Sequence, residues 1–350
     1  MEKKRVVCWF DELCKDDAAV VGKKCANLGE MIKLGLNVPP GFALTLALYE
    51  RFLQESDLGE RLGRYIGSLE NLKGADIERL EEVSSELRGM IENEPMPKAI
   101  EDLICQHYDE LCEKVGISNV PVSVRSAGVE SRPGMFETYL NIEGKEEVVA
   151  HVQKVWASSF TPRAIAFRAN KGFPIDGDML GVAIPMMVRA RAAGIGFTVD
   201  PVTGDASRVV IEANWGLGEG VVAGSESIDC FTVAKKTDAI EKKEIGEKMR
   251  YVTFREKGAE WEDVPEDIRR VSCLSDSEII AIAELGRMLE ERMGCPQDFE
   301  WALDLHIKAP HNLFLLQTRP AKVVASPDTS DRIADLIAKK LYRVYPAAKD

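Results

Sequence analysis

PVSVRSAGVESRPGMFETYLN, residues 121–141, runs a short apolar strand into a loop of glycine, proline and hydroxyl residues. Val122 and Val124 alternate with Ser123 and Arg125, a period of two that brings Arg125 to the strand's end. Gly128 and Gly134 allow backbone N–H groups to approach an anion closely, while Ser126, Ser131 and Thr138 supply hydroxyl donors. Plain turns use the same residue types. The stretch becomes a cover over phosphates only if the rest of the chain supplies cations to the same place.

Composition makes that condition strict. The chain has 350 residues, 45% of them hydrophobic, enough for a sizeable core in two or three subdomains. With 45 basic against 58 acidic residues the formal charge is −13. No global field therefore draws the chain to nucleic acid or an anionic membrane, and any anion needs a local basic cluster. No apolar run approaches a membrane span, and MEKKRVVCWFDEL is too short and too acidic for a signal peptide. A cytoplasmic location is expected. The eight cysteines (Cys8, Cys14, Cys25, Cys105, Cys112, Cys230, Cys273, Cys295) form no CxxC and read as reduced thiols.

Working outward, VGKKCANLGEMIKLG predicts a helix that carries Leu28, Met31 and Ile32 on one face and ends at Gly35. Lys23 and Lys24 stand at its start, where free N–H groups and the helix dipole favour an anion; a solvated basic pair is the other reading. Residues 46–115 read as helices interrupted near NEPMP, with His107 beside an apolar stripe. Two more helices follow residue 141, the second opened by Pro162. From residue 180 the pattern changes to short strands separated by turns, which predicts a largely antiparallel sheet. Ser275 and Glu278 form a capping-box pattern for a helix over 276–293. QDFEWALDL and NLFLLQTRP then read as two closing strands. The expected division is 1–180, 181–322, and a linker with one amphipathic helix over 323–350.

Familiar nucleotide motifs are missing. NWGLGEGVVAG is not GxGxxG, and neither GK dipeptide, at Gly22 or Gly144, is followed by Ser or Thr. If the two closing strands are neighbours, however, Glu300 and Gln317 bring a carboxylate and an amide oxygen together, a donor set that suits magnesium. Arg319, two residues after Gln317, shares its face and can hold a phosphate bidentately. A simple cross-strand pair of Glu300 with Arg319 is the alternative.

VGKKCANLGEM, VPPGFALT, VSVRSAGVESRPGMFETYLN, SSFTPRAIAFR, GIGFTVDPVTG, VVIEANWGLGEGVV and DFEWALD with LQTRP resemble, in that order, the ATP-binding domain of the phosphoenolpyruvate synthase and pyruvate phosphate dikinase family. The resemblance covers roughly residues 15–322. It implies an α+β, ATP-grasp fold in which ATP lies between a mixed α/β lobe and an antiparallel sheet, with the β-phosphoryl passing to a histidine on a separate domain. It places the family's VGGK lysine on Lys24, its VRS arginine on Arg125, its phosphate arginine on Arg319 and its Mg2+ ligands on Glu300 and Gln317. The phosphate-covering loop falls on Gly128 to Thr138, including Ser131 and Gly134. The adenine hinge falls near Met186, Met187 and Val188, and Glu212, Gly216 and Gly218 match a sheet edge near the nucleotide. Two departures stand out. Lys23 replaces a glycine, and Pro185 removes an amide side chain and a backbone donor before the hinge.

The histidines, His107, His151, His306 and His311, have no TSH setting, so the phosphoryl acceptor is expected on a separate partner subunit carrying a histidine domain. Such a split system resembles phenylphosphate synthase. A truncated phosphoenolpyruvate synthase or drug phosphotransferase is the first alternative, and an ATP-sensing regulatory module that transfers nothing is the second.

Overall fold

The structure, a computed structural model, describes residues 5–129, 135–222, 227–255 and 258–322. Its first sheet follows from strands with two unlike faces. In β1 (Val7–Trp9) and β2 (Gly41–Leu44) the chain forms an edge, and α1 (Ala18–Lys33) lies between them in sequence. Four helices follow: α2 (Leu46–Glu55), α3 (Leu58–Gly67), α4 (Ile77–Glu92) and α5 (Lys98–Val115). Next come β3 (Val122–Ala127), β4 (Thr138–Ile142), α6 (Lys145–Ala157), α7 (Pro162–Lys171) and β5 (Gly181–Pro185). The strands pair in the order β1-β2-β5-β3-β4, antiparallel throughout.

One face of this sheet presents Phe42, Leu44, Val122, Val124, Val182 and Ile184 to the helical core, which includes Tyr108 and Trp156. The other presents Ala43, Ala127 and Ala183 to α1. Small side chains there let the helix approach closely, and that face is the one on which Arg125 lies, since side chains alternate along β3.

Beyond a crossover at 186–189, β6 (Ala190–Phe197), β7 (Arg208–Trp215), the short helix α8 (Glu219–Val222), β8 (Asp229–Ala234) and β9 (Ile240–Glu244) begin the second sheet. A separate hairpin of β10 (Arg250–Phe254) and β11 (Ala259–Asp263) precedes α9 (Asp276–Met293), β12 (Gln297–Asp304) and β13 (Leu313–Pro320). The six-stranded order is β13-β12-β6-β7-β8-β9, again antiparallel, as the turn-separated strands indicate. α9 covers one face, packing on Ile211, Phe299, Trp301 and Leu303. Its N-terminus carries the capping box, with the Glu278 N–H donating to Ser275 Oγ and the Ser275 N–H donating to Glu278 Oε2 at 2.8 Å.

β5 does not join the strands after residue 180 in the second sheet. It pairs with β2 and β3, with Ala183 opposite Arg125, so the passage from one sheet to the other falls at 186–189. The apolar run over 180–188 holds no local mark of that change. The helix read over 323–350 lies outside the described residues. Among the described residues no helix is long and apolar enough to cross a membrane.

α1 and the loop after it tie the two sheets together. Asn27 Nδ2 donates to the Thr318 carbonyl at 3.2 Å, and Asn37 Nδ2 donates to the His311 and Leu313 carbonyls at 3.0 Å each. The Leu315 N–H donates to the Asn37 carbonyl at 2.8 Å, so β13 is held along its length by one short segment.

Candidate functional site

The site begins at a break in α1. Gly22 has φ 81° and ψ 157°, outside helical space, so the regular helix starts at Lys23. A Cβ on Gly22 would sit 2.3 Å from the Ala127 carbonyl oxygen, and glycine is required on both counts. The close approach lets the Lys23 N–H donate to the Gly128 carbonyl at 3.1 Å. Helix start and strand end thus abut. The Lys23 side chain is exposed, as in the solvated reading, while Lys24 is half-buried. Burial, reinforced by Arg125 and Arg319 and opposed in part by Glu300, brings the Lys24 ammonium down to about 8 from an ordinary 10.5.

Arg125, near the end of β3, turns toward the second sheet, and its guanidinium lies 3.6 Å from Glu300 Oε2. Its Nε is buried and has no hydrogen-bond partner among the described residues. A buried donor of a charged group left in that state is costly unless an anion completes it. On the opposing wall, Glu300 and Gln317 are direct cross-strand partners, with Gln317 Nε2 donating to Glu300 Oε1 at 3.3 Å. Lys24, Arg125, Glu300 and Arg319, read separately from the sequence, therefore form one electrostatic cluster.

A β-bulge shapes that wall. Glu300 pairs with Gln317 and Trp301 with Leu315, leaving Leu316 unpaired. The extra residue shifts the alternation, so apolar Ala302 and Phe314 share a face with Glu300 and Gln317. Val188 and Ala193 complete the apolar patch. The face has an apolar end and a polar end, as a nucleoside with a phosphate tail requires.

Arg319 pairs with Asp298, its Nε donating to Oδ2 at 2.7 Å; the expected alternative of a Glu300–Arg319 pair is not what forms. Asp298 is raised by burial, with Arg319 pulling the other way. Asp298 was not singled out from the sequence, although its spacing of two from Glu300 places it on the same strand face. Glu219, at the start of α8, is a second missed residue. Its carboxyl is pushed up by burial, with Arg125 lowering and Glu300 raising it, which places it beside the same charges.

The hinge residues lie where the chain passes between sheets. The N–H groups of Met186 and Met187 are taken by the carbonyls of Pro40 and Pro121, both at 2.8 Å. That leaves Val188, whose N–H has no protein acceptor among the described residues and whose side chain is buried in the apolar patch. Pro185, which lacks an N–H, ends β5 opposite Gly41. Glu212 is not at a sheet edge: β7 is an interior strand, and Glu212 aligns across β6 with Ile195 and then Glu300. Two strand spacings put it about 10 Å from Glu300 on the same face. Gly216 has φ 70°, and a Cβ there would meet the Val252 carbonyl oxygen at 2.2 Å, so it lets the β10–β11 hairpin dock beside the site. Gly218 follows in the turn that places Glu219. Thr138 opens β4 directly opposite Arg125, whereas Ser131 and Gly134 lie outside the described residues.

Among the described residues no group of three or more His, Cys, Asp or Glu side chains could hold a metal by itself. Glu300 and Gln317 nevertheless fit a magnesium ion that shares its ligands with phosphate, since this ion takes one or two protein oxygens and completes its shell with phosphates and water. Turning the Gln317 amide exchanges its N and O, which brings the oxygen to the Glu300 side.

Comparisons with known proteins identify the family. The profile of the pyruvate phosphate dikinase AMP/ATP-binding domain matches residues 18–339. A probable phosphoenolpyruvate synthase of Methanothermobacter thermautotrophicus is 37% identical over 345 residues, covering 96% of this chain and 49% of that protein. A probable phosphoenolpyruvate synthase of Staphylothermus marinus is 38% identical, covering 91% and 41%. The phosphoenolpyruvate synthase of Aeropyrum pernix is 35% identical, covering 92% and 43%. The chain thus spans about half the length, or less, of these relatives. It belongs to the pyruvate phosphate dikinase AMP/ATP-binding domain family.

Proposed function

We propose that the chain binds ATP with magnesium in an ATP-grasp arrangement and passes the β-phosphoryl to a histidine carried on another domain, the first half of a phosphoenolpyruvate synthase-type reaction. The observation that carries this reading is the convergence of Lys24, Arg125 and Arg319, from three separate elements, on Glu300, with the Arg125 Nε buried and unsatisfied. The relatives' names favour the phosphoenolpyruvate synthase alternative over the phenylphosphate synthase reading.

In this reading adenine lies against Val188, Ala302 and Phe314, reading the Val188 N–H, and the phosphates extend toward Arg125. Phosphoryl transfer depends mainly on positioning and on neutralising charge on phosphate oxygens. Lys24 and Arg125 hold the tail from the first sheet, and Arg319, oriented by Asp298, holds it from the second. Glu300 and Gln317 would ligate magnesium, which supplies further neutralisation of phosphate charge. No side chain of this site serves as nucleophile: the acceptor imidazole attacks the β-phosphorus with AMP as leaving group, and water then cleaves the transferred pyrophosphoryl group, releasing the γ-phosphate as inorganic phosphate and leaving the β-phosphoryl on the histidine. His107, packed between Trp9 and Phe42, and His151, bonded through Nδ1 to the Glu147 carbonyl, are engaged elsewhere, and His306 and His311 stand exposed in the β12–β13 connection, past Ala302 and Phe314 from Glu300, which supports an acceptor from another domain.

The test supplies a histidine domain from one of the phosphoenolpyruvate synthase relatives in trans, with magnesium and ATP labelled at the β-phosphate. Label on the histidine is expected, and replacing Arg125 by alanine should lower transfer at least about a hundredfold without unfolding the chain. A histidine that acquires no β-label, or an Arg125→Ala chain with undiminished transfer, sinks the reading.

A further inference from the structure

The β3–β4 hairpin that presents Arg125 is short on pairing where it matters. Its register shifts between Val122 and Val124, so only Val124 opposite Tyr139 and Arg125 opposite Thr138 pair at the site end. Two pairs of backbone partners at a strand end fray readily. Something outside the sheet must hold β4 in place, and α4 supplies it.

Arg88, in the second-last turn of α4, grips Glu137 with two parallel N–H donors, one nitrogen to Oε1 at 2.8 Å and the other to Oε2 at 3.0 Å. Its Nε donates to Glu92 Oε1 at 3.2 Å, which orients the guanidinium plane. Tyr139 donates its hydroxyl to the same Glu137 carboxylate. Thr161, the N-cap of α7, donates to the Met135 carbonyl at 3.3 Å. Residues 135–139 are thereby tied to two helices, and Glu137 immediately precedes Thr138, the partner of Arg125.

We infer that Arg88 is a positioning residue for the phosphate site: through its forked grip on Glu137 it fixes Thr138 and the start of β4 against Arg125. The inference rests on the nucleotide reading above and deepens it. Arg88 and Glu137 are each about a quarter to a third exposed, at 26% and 33%. A forked pair that open to solvent shifts the folding equilibrium by up to about fivefold. Its worth lies in geometry, because forked arginine–carboxylate contacts fix orientation as well as distance, and small misplacements at a phosphoryl-transfer site cost far more than they do in folding. Lysine at 88 keeps the charge without the fork.

Equilibrium binding of magnesium–ATP and of AMP to the whole chain, alongside thermal unfolding, tests this. Arg88→Gln and Glu137→Gln should each weaken ATP binding about tenfold. AMP, which lacks the β- and γ-phosphates, should change less than about twofold, with the melting temperature nearly unmoved. The double variant should lose no more than either single one, since both act through one contact, and Arg88→Lys should fall between wild type and Arg88→Gln. Equal losses for ATP and AMP, additive losses in the double variant, or wild-type ATP affinity in Arg88→Gln overturn the positioning role. A wild-type chain that binds neither nucleotide overturns the nucleotide reading, and the role with it.

Discussion

Lys24 carries a charge that solution pH controls. Its folded value of about 8 lies below the ordinary 10.5, chiefly through burial and then through Arg125. The unfolded chain therefore holds this proton more tightly than the folded one, and the Lys24 contribution to stability rises with pH between about 8 and 10.5. At pH 7 the charged ammonium is a net cost. Lys24→Met should gain about 1–2 kcal/mol in urea unfolding at pH 7, a gain that shrinks to nothing as pH approaches 10.5. ATP affinity should run the other way: phosphates favour the charged form, so wild-type affinity falls above pH 8, by up to about tenfold per unit, while Lys24→Met binds weakly and with a flat profile. A wild-type profile as flat as the variant's would remove Lys24 from the phosphate site. Charge type at this position was legible in the sequence. The choice of Lys24 over Lys23 came from the family resemblance and not from the helix pattern, because the break at Gly22 sets the rotation of the helix.

Among the elements, α9 and α1 show two ways in which a helix start is specified. The Ser275–Glu278 box was readable because capping is local, and Ser275→Ala should cost about 1 kcal/mol in unfolding while leaving ATP affinity unchanged. Gly22 is fixed by a neighbour far along the chain, the Ala127 carbonyl. Gly22→Ala should cost about 3 kcal/mol or more, combining a positive φ with a backbone clash, and should reduce ATP binding too; retention of both properties would show that the break is dispensable. The strands divide the same way. β12 and β13 were legible from alternation, and their pairing brought Glu300 to Gln317. β5 was assigned to the later strands because its apolar run carries no signal of which sheet it enters. Asp298 had a local signal in its two-residue spacing from Glu300, whereas Glu219 had only its place in the GLGEG run, since the docking of the β10–β11 hairpin and the turn at Gly216 bring it to Arg125.

At the scale of the whole molecule, the two sheets face each other across a site that neither completes alone. α1 is the shared part: Lys24 belongs to one wall, and Asn27, one turn later, bonds to the carbonyl of Thr318 on the other. Asn27→Ala should loosen that coupling, lowering ATP affinity about three- to tenfold for a loss of about 1 kcal/mol in unfolding; an affinity unchanged by calorimetry would mean that the walls are registered by packing alone. The bulge at Leu316 has a consequence of another kind. The strand behaves as a wave whose phase is reset once, and every polar side chain after Leu316 takes its direction from that reset. A regular ladder that kept Leu316 would set it opposite Glu300 and drive Gln317 and Arg319 into the greasy layer around Phe299 and Trp301, whereas a strand lacking the residue would run regularly and leave Gln317 opposite Glu300. β13 should therefore accept a change of letter at 316, or even its loss, more readily than one further residue inserted beside it.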